Sequence, residues 1–124
     1  MYQIFLVAVG GALGAAVRYG TSVWMARLWE EPAVLATWAV NLVGCLLIGM
    51  LAPMLGRVGL AEEVQFFLIV GFLGSLTTFS TFSLETVVLW QEGLGVAALI
   101  NAVGSVVLGL VCVWIGLFLG RMWV

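Results

Sequence analysis

Hydrophobic positions in this chain fall into four long uncharged runs, 1–17, 32–56, 64–84 and 93–120, separated by short polar breaks. Each run can supply the ~20 residues that a helix needs to cross a bilayer. The first continues past Arg18 through Tyr19 to Met25, as a longer helix would. The pattern predicts helices over about 2–26, 32–55, 62–91 and 94–121, with residues 1–124 forming one integral membrane domain of the all-α class. The third run alone is crowded with hydroxyls. In GFLGSLTTFSTFSLE, residues 71–85, it holds Ser75, Thr77, Thr78, Ser80, Thr81 and Ser83. Each unsatisfied polar group costs several kcal/mol in hydrocarbon, so this cluster implies a protein-lined or water-lined interior, or backbone that has left the helix.

Punctuation at the run ends agrees with four crossings. Pro32 follows Glu30 and Glu31, and Glu62 with Glu63 precedes Val64, as suits helix N-termini. Trp24, Trp29, Trp90 and Trp123 stand near span ends, where indole rings anchor at the interface. The first run has Ala and Gly near its end, as a secretory signal does. No Lys or Arg precedes it, so it is expected to be the mature first helix. Gly10 with Gly14, and Gly116 with Gly120, have the spacing that puts small residues on one helix face for close packing.

Composition sharpens the picture. Of 124 residues, 65% are hydrophobic and 8% charged, with a mean hydropathy of +1.27, far from the roughly one-quarter charge of soluble domains. Arg18, Arg27, Arg57 and Arg121 are isolated charges with no stripe to neutralise phosphates, which excludes nucleic acid as a partner. With four crossings these arginines nearly balance across the membrane, so the bias that fixes orientation is almost absent and dual insertion is permitted. Four helices enclose little polar space, which favours an oligomer, most simply a two-fold dimer. Cys45 and Cys112 lie in apolar runs and read as packing residues.

The chain has no His, Asp or Lys, so the usual acids, bases and activated nucleophiles are missing and an enzyme is not expected. A passive or coupled pathway remains. Thr37, Asn41 and Cys45 recur every four residues and share a face, as do Asn101 and Ser105. The Asn41 amide can donate to an anion. Each polar line alone could be an interhelical bond worth about 0.6 kcal/mol, but three lines from three helices can define a path. Phe79 and Phe82 project from neighbouring faces within the hydroxyl cluster, and aromatic rings carry a partly positive edge.

GGALGAAVRYG at 10–20, NLVGCLLIG at 41–49 and the third-run segment with its TTFSTF core at 77–82 together resemble the CrcB/Fluc family of fluoride channels. The resemblance covers most of the chain. It implies four transmembrane helices per subunit, the third broken near its middle, around 74–78, in an antiparallel dual-topology homodimer with two fluoride pores. It implies that the break runs from Gly74 to Thr77, and that backbone carbonyls of Gly74 and Thr77 from both subunits hold a structural sodium ion. Asn41, Phe79, Phe82 and Ser105 match pore positions; Thr78, Ser80, Thr81, Ser83 and Glu85 fall in or beside the polar track; Arg18 matches a vestibule arginine. Where related chains can carry tyrosine four residues before the fourth-helix serine, this one has Asn101. Passive fluoride export across a prokaryotic plasma or inner membrane, relieving fluoride toxicity, is the implied function. The alternatives are a proton-coupled exporter of the small multidrug type working through Glu85, and an interaction protein whose polar residues only hold helices together.

Overall fold

A computed structural model of the chain is all-helical, and describes residues 1–29, 32–58 and 62–123. Glu30 and Glu31, expected to punctuate the second helix, lie outside the described residues. So does the Arg57 side chain, whose charge entered the orientation argument. The elements are α1 (Tyr2–Met25), α2 (Pro32–Val58), α3 (Glu62–Gln65), a π-helical stretch (Phe66–Leu73), α4 (Gly74–Leu76), α5 (Phe79–Gln91) and α6 (Gly95–Met122). Grouped by continuity they make four apolar spans, Tyr2–Met25, Ala33–Leu55, Glu62–Gln91 and Gly95–Met122, each long enough to cross a membrane. The chain is a multi-pass membrane protein.

Only the third span is interrupted at its centre. Thr77 (φ −81°, ψ 154°) and Thr78 (φ −147°, ψ 120°) are extended, while Gly74, Ser75 and Leu76 remain helical. The interruption therefore lies within the 74–78 stretch implied by the resemblance but is confined to its last two residues, leaving Gly74 to Leu76 helical. Two β-branched residues in succession favour extended backbone. Thr78 gains further from it, because its side chain can then cap α5. Upstream, the π-helical stretch widens the helix over Phe66–Leu73.

Close approach of the spans depends on absent side chains. A methyl at Gly10 or Gly14 would fall on the carbonyls of Phe67 or Phe72, and one at Gly71 would meet the Val7 carbonyl at 2.8 Å. Thus α1 touches the first half of the third span backbone to backbone. On the other side α2 runs along α6, where Gly49, Gly116 and Gly120 allow the same contact. The small-residue faces at 10/14 and 116/120 therefore serve packing within one copy. Val40, Leu73 and Leu76, with Leu47, Leu51, Ile69 and Phe72 around them, form the apolar core beside the break.

The turn from α5 to α6 is set by Gly93 at φ 80°. Its N–H donates to the Trp90 carbonyl and the Leu94 N–H to the Leu89 carbonyl, closing the last turn of α5 as a Schellman motif. That tight return lays α6 against α5 and brings Asn101 and Ser105 to the polar half of the third span.

Candidate functional site

The interruption at Thr77 and Thr78 exposes backbone groups that hydrocarbon would leave unsatisfied, and neighbouring side chains meet part of that demand. Asn41 on α2 accepts from the Thr78 N–H through Oδ1 at 2.8 Å and donates from Nδ2 to the Thr78 carbonyl at 3.1 Å. One amide thus serves both backbone groups of a single residue. Thr78 Oγ1 in turn accepts the Thr81 N–H at 3.2 Å, capping α5, and donates to Thr81 Oγ1 at 3.0 Å.

These captures have a second effect. In an unbroken helix the Gly74 carbonyl would accept from the Thr78 N–H and the Thr77 carbonyl from the Thr81 N–H. Both donors are bound to side chains instead, to Asn41 and to Thr78 Oγ1. The two carbonyls named by the resemblance are therefore the ones whose helical donors have been diverted. Oxygen donors of this kind suit a hard cation such as sodium. Among the described residues there is no cluster of three or more His, Cys, Asp or Glu that could hold a metal through side chains.

A groove of about 360 Å³ opens beside the break, and Asn41, Gly74, Thr77, Thr78, Phe79, Phe82 and Ser105 all line it. Their meeting place joins α2, both halves of the third span, and α6. Cys45 lines it too; it and Cys112 are free thiols. The Phe79 and Phe82 rings are 5.6 Å apart between centroids and inclined at 45°. Phe79 is 79% exposed in the single chain, so its ring projects outward from the groove's edge. The second Asn41 amide proton, the Ser105 hydroxyl and the ring edges are donors or positive edges available here.

Arg18 is not in this groove. It lines a second cavity of about 230 Å³ with Ser22, Thr37, Thr78 and Thr81. Thr78 faces both cavities and is itself buried. Ser80 lies 3.4 Å from Thr78 Oγ1, whereas Ser83 turns its hydroxyl back to the Phe79 carbonyl at 2.9 Å. Glu85 lines neither cavity; its Oε1 accepts the Thr37 hydroxyl at 2.7 Å, and its buried Oε2 has no protein partner among the described residues.

Sequence reasoning missed Trp38 and Thr86. The Trp38 indole donates to Asn101 Oδ1 at 2.6 Å, and Asn101 Nδ2 donates to Thr86 Oγ1 at 2.9 Å. The signal was available in Asn101 itself, since an amide in an apolar run needs donors and acceptors from facing helices. Trp38 shares the stretch of α2 that holds Thr37 and Asn41, but a tryptophan in a membrane span reads first as bulk.

Residues 5–117 match the family described as CrcB-like protein, Camphor Resistance (CrcB). A protein of Methylobacillus flagellatus is 44% identical, covering 98% of this chain and 97% of its own length. One from Stutzerimonas stutzeri is 45% identical (95% and 96% covered), and one from Salinibacter ruber 49% identical (94% and 87% covered). Each of these relatives is named fluoride-specific ion channel FluC. With the family match extending over all four spans and the near full-length relatives agreeing, this chain belongs to the CrcB family.

Proposed function

We propose that the chain is a fluoride-selective channel, not an enzyme, that lets fluoride leave the cell passively across a prokaryotic plasma or inner membrane. The observation that carries this reading is the groove in which Asn41, Phe79, Phe82 and Ser105 meet beside a side-chain-capped helix break. The names of the near full-length relatives supply the ion.

Fluoride is small and holds its water tightly, so a pathway must offer closely spaced donors as hydration is removed. Along this route Ser105 and the free Asn41 amide proton donate, and the edges of Phe79 and Phe82 present partial positive charge. Ser80 and Thr81 extend the hydroxyl supply at the start of α5, while the protons of Thr78 and Ser83 rest on Thr81 Oγ1 and the Phe79 carbonyl, and Glu85 stands beside this track, bonded to Thr37. Arg18, in the second cavity, raises the local anion concentration at a vestibule. With no nucleotide motif in the sequence, the electrochemical gradient is the driving force.

An incomplete site in one copy supports an antiparallel homodimer. Phe79 projects outward and the groove has an open side, so a second copy inverted in the membrane would close it and make two equivalent pores. The Gly74 and Thr77 carbonyls of one copy are too few to replace a sodium ion's water shell. Paired with those of the partner they would hold it, and its charge would offset the cost of bringing anions midway.

The test is release from liposomes loaded with fluoride and followed by a fluoride electrode. Rapid fluoride efflux, little chloride efflux and no need for a proton gradient are expected. Dependence on a proton gradient would favour the Glu85 exporter, and silent vesicles holding folded protein would favour a purely structural role.

A further inference from the structure

Asn101 is the most deeply buried polar side chain described, at 1% exposure, and its amide sits at the centre of a chain of bonds spanning three helices. Indole can only donate, so the 2.6 Å contact with Trp38 Nε1 fixes Asn101 Oδ1 on that side. Its Nδ2 must then face Thr86, to whose Oγ1 it donates at 2.9 Å, and Thr86 passes its own proton to the Phe82 carbonyl at 2.8 Å. Every direction in this chain follows from the indole. The Trp38 ring is itself seated over Gly104, where a methyl would meet it at 2.7 Å.

Ser105 is the last member, and it differs from the others. Its hydroxyl donates to the same Asn101 Oδ1, but at 3.4 Å, beyond the usual O–H···O range. Asn101 Oδ1 is already satisfied by Trp38, so losing the Ser105 proton would not orphan a buried acceptor. Ser105 also lines the groove that holds Phe82 and Asn41.

We infer that Trp38 and Asn101 are positioning residues that keep the Ser105 proton loosely held, so that it can rotate from Asn101 to an anion in the groove. This inference rests on the channel reading and concerns two residues outside the set taken to touch the ion. Without the indole donor, Asn101 Oδ1 would depend on Ser105 alone, and an arriving anion would have to break that bond.

The experiment is a cycle of Trp38→Phe, Ser105→Ala and the double variant, read as fluoride efflux from liposomes, with thermal unfolding in detergent run alongside. Trp38→Phe is expected to slow efflux roughly five-fold, the scale of one net hydrogen bond, and to have no further effect once Ser105 is alanine. Unchanged efflux in Trp38→Phe, or equal slowing in both backgrounds, would overturn the inference while leaving the channel reading intact. A second arm is independent of flux. The Trp38 indole N–H resonance should lie downfield and move upfield in Asn101→Leu but not in Ser105→Ala; an indole insensitive to Asn101 would equally overturn it. A wild-type protein that releases no fluoride would instead sink the channel reading, and with it any role for the Ser105 proton.

Discussion

Asn41 spends its carboxamide on the backbone of Thr78, and this changes what a substitution there should do. Asn41→Leu leaves an N–H and a carbonyl without partners next to the helix break, at a cost of about 2–4 kcal/mol, visible as a lowered midpoint of thermal unfolding in detergent. Asn41→Asp keeps an acceptor for the Thr78 N–H but places a carboxylate against both the Thr78 carbonyl and any anion in the groove. Fluoride efflux is expected to fall sharply; unaltered rates would restrict Asn41 to a structural part. Phe79 and Phe82 separate the two effects in the opposite direction. Isoleucine keeps an apolar side chain at both positions, so Phe79→Ile and Phe82→Ile are expected to preserve folding and the assembly of copies while strongly reducing efflux; within the single chain Phe79 carries little packing. Normal rates in both would remove the rings from the mechanism.

At the scale of elements, the third span is held in two halves by a cap and by glycine contacts, and these make distinct predictions. Thr78→Val keeps the shape but removes the hydroxyl that caps α5, costing about 1 kcal/mol and freeing the Thr81 N–H. Hydrogen exchange confined to the first turn of α5 would register it. Glycines offer a graded comparison. Gly10→Ala and Gly49→Ala drive a methyl into backbone of the facing helix and should destabilise by roughly 1–3 kcal/mol, whereas Gly20→Ala meets nothing within 4 Å and should be close to neutral. Equal unfolding midpoints for Gly10→Ala and Gly20→Ala would mean that α1 does not lie on Phe67 and Phe72 as described.

For the whole molecule, apolar exposure says little by itself, because lipid covers it. The informative exposure is polar: a groove lined by Asn41, Thr77 and Ser105 that is open on one side, and carbonyls stripped of their helical donors. The inverted second copy proposed above would answer both. With the native cysteines replaced and a single cysteine introduced by Gln3→Cys, an impermeant thiol reagent applied outside intact cells should label about half the molecules. Labelling of all or none would mean one orientation. Removing sodium in favour of a large organic cation should lower the thermal stability of the dimer and leave that of separated subunits unchanged.

Much of this was present in the order of residues. Apolar run length sets the number of crossings because bilayer thickness sets helix length, and the hydroxyl crowding of 75–83 called for either a polar-lined interior or backbone outside the helix because hydrocarbon does not tolerate unpaired groups; the break itself was implied by the resemblance. Local chemistry marked Asn41, Ser105 and the two rings one by one, and the family resemblance joined them into a candidate set. Tertiary structure decided what local chemistry leaves open. It put the interruption on Thr77 and Thr78 rather than on Gly74 onward, because the Thr78 backbone found Asn41 across the bundle. It sent Arg18 to a different cavity from Phe82, and it turned Trp38 from bulk into the donor that orients Asn101. Run length and polarity act along one helix, whereas hydrogen-bond partners are chosen between helices, and only packing decides which faces meet.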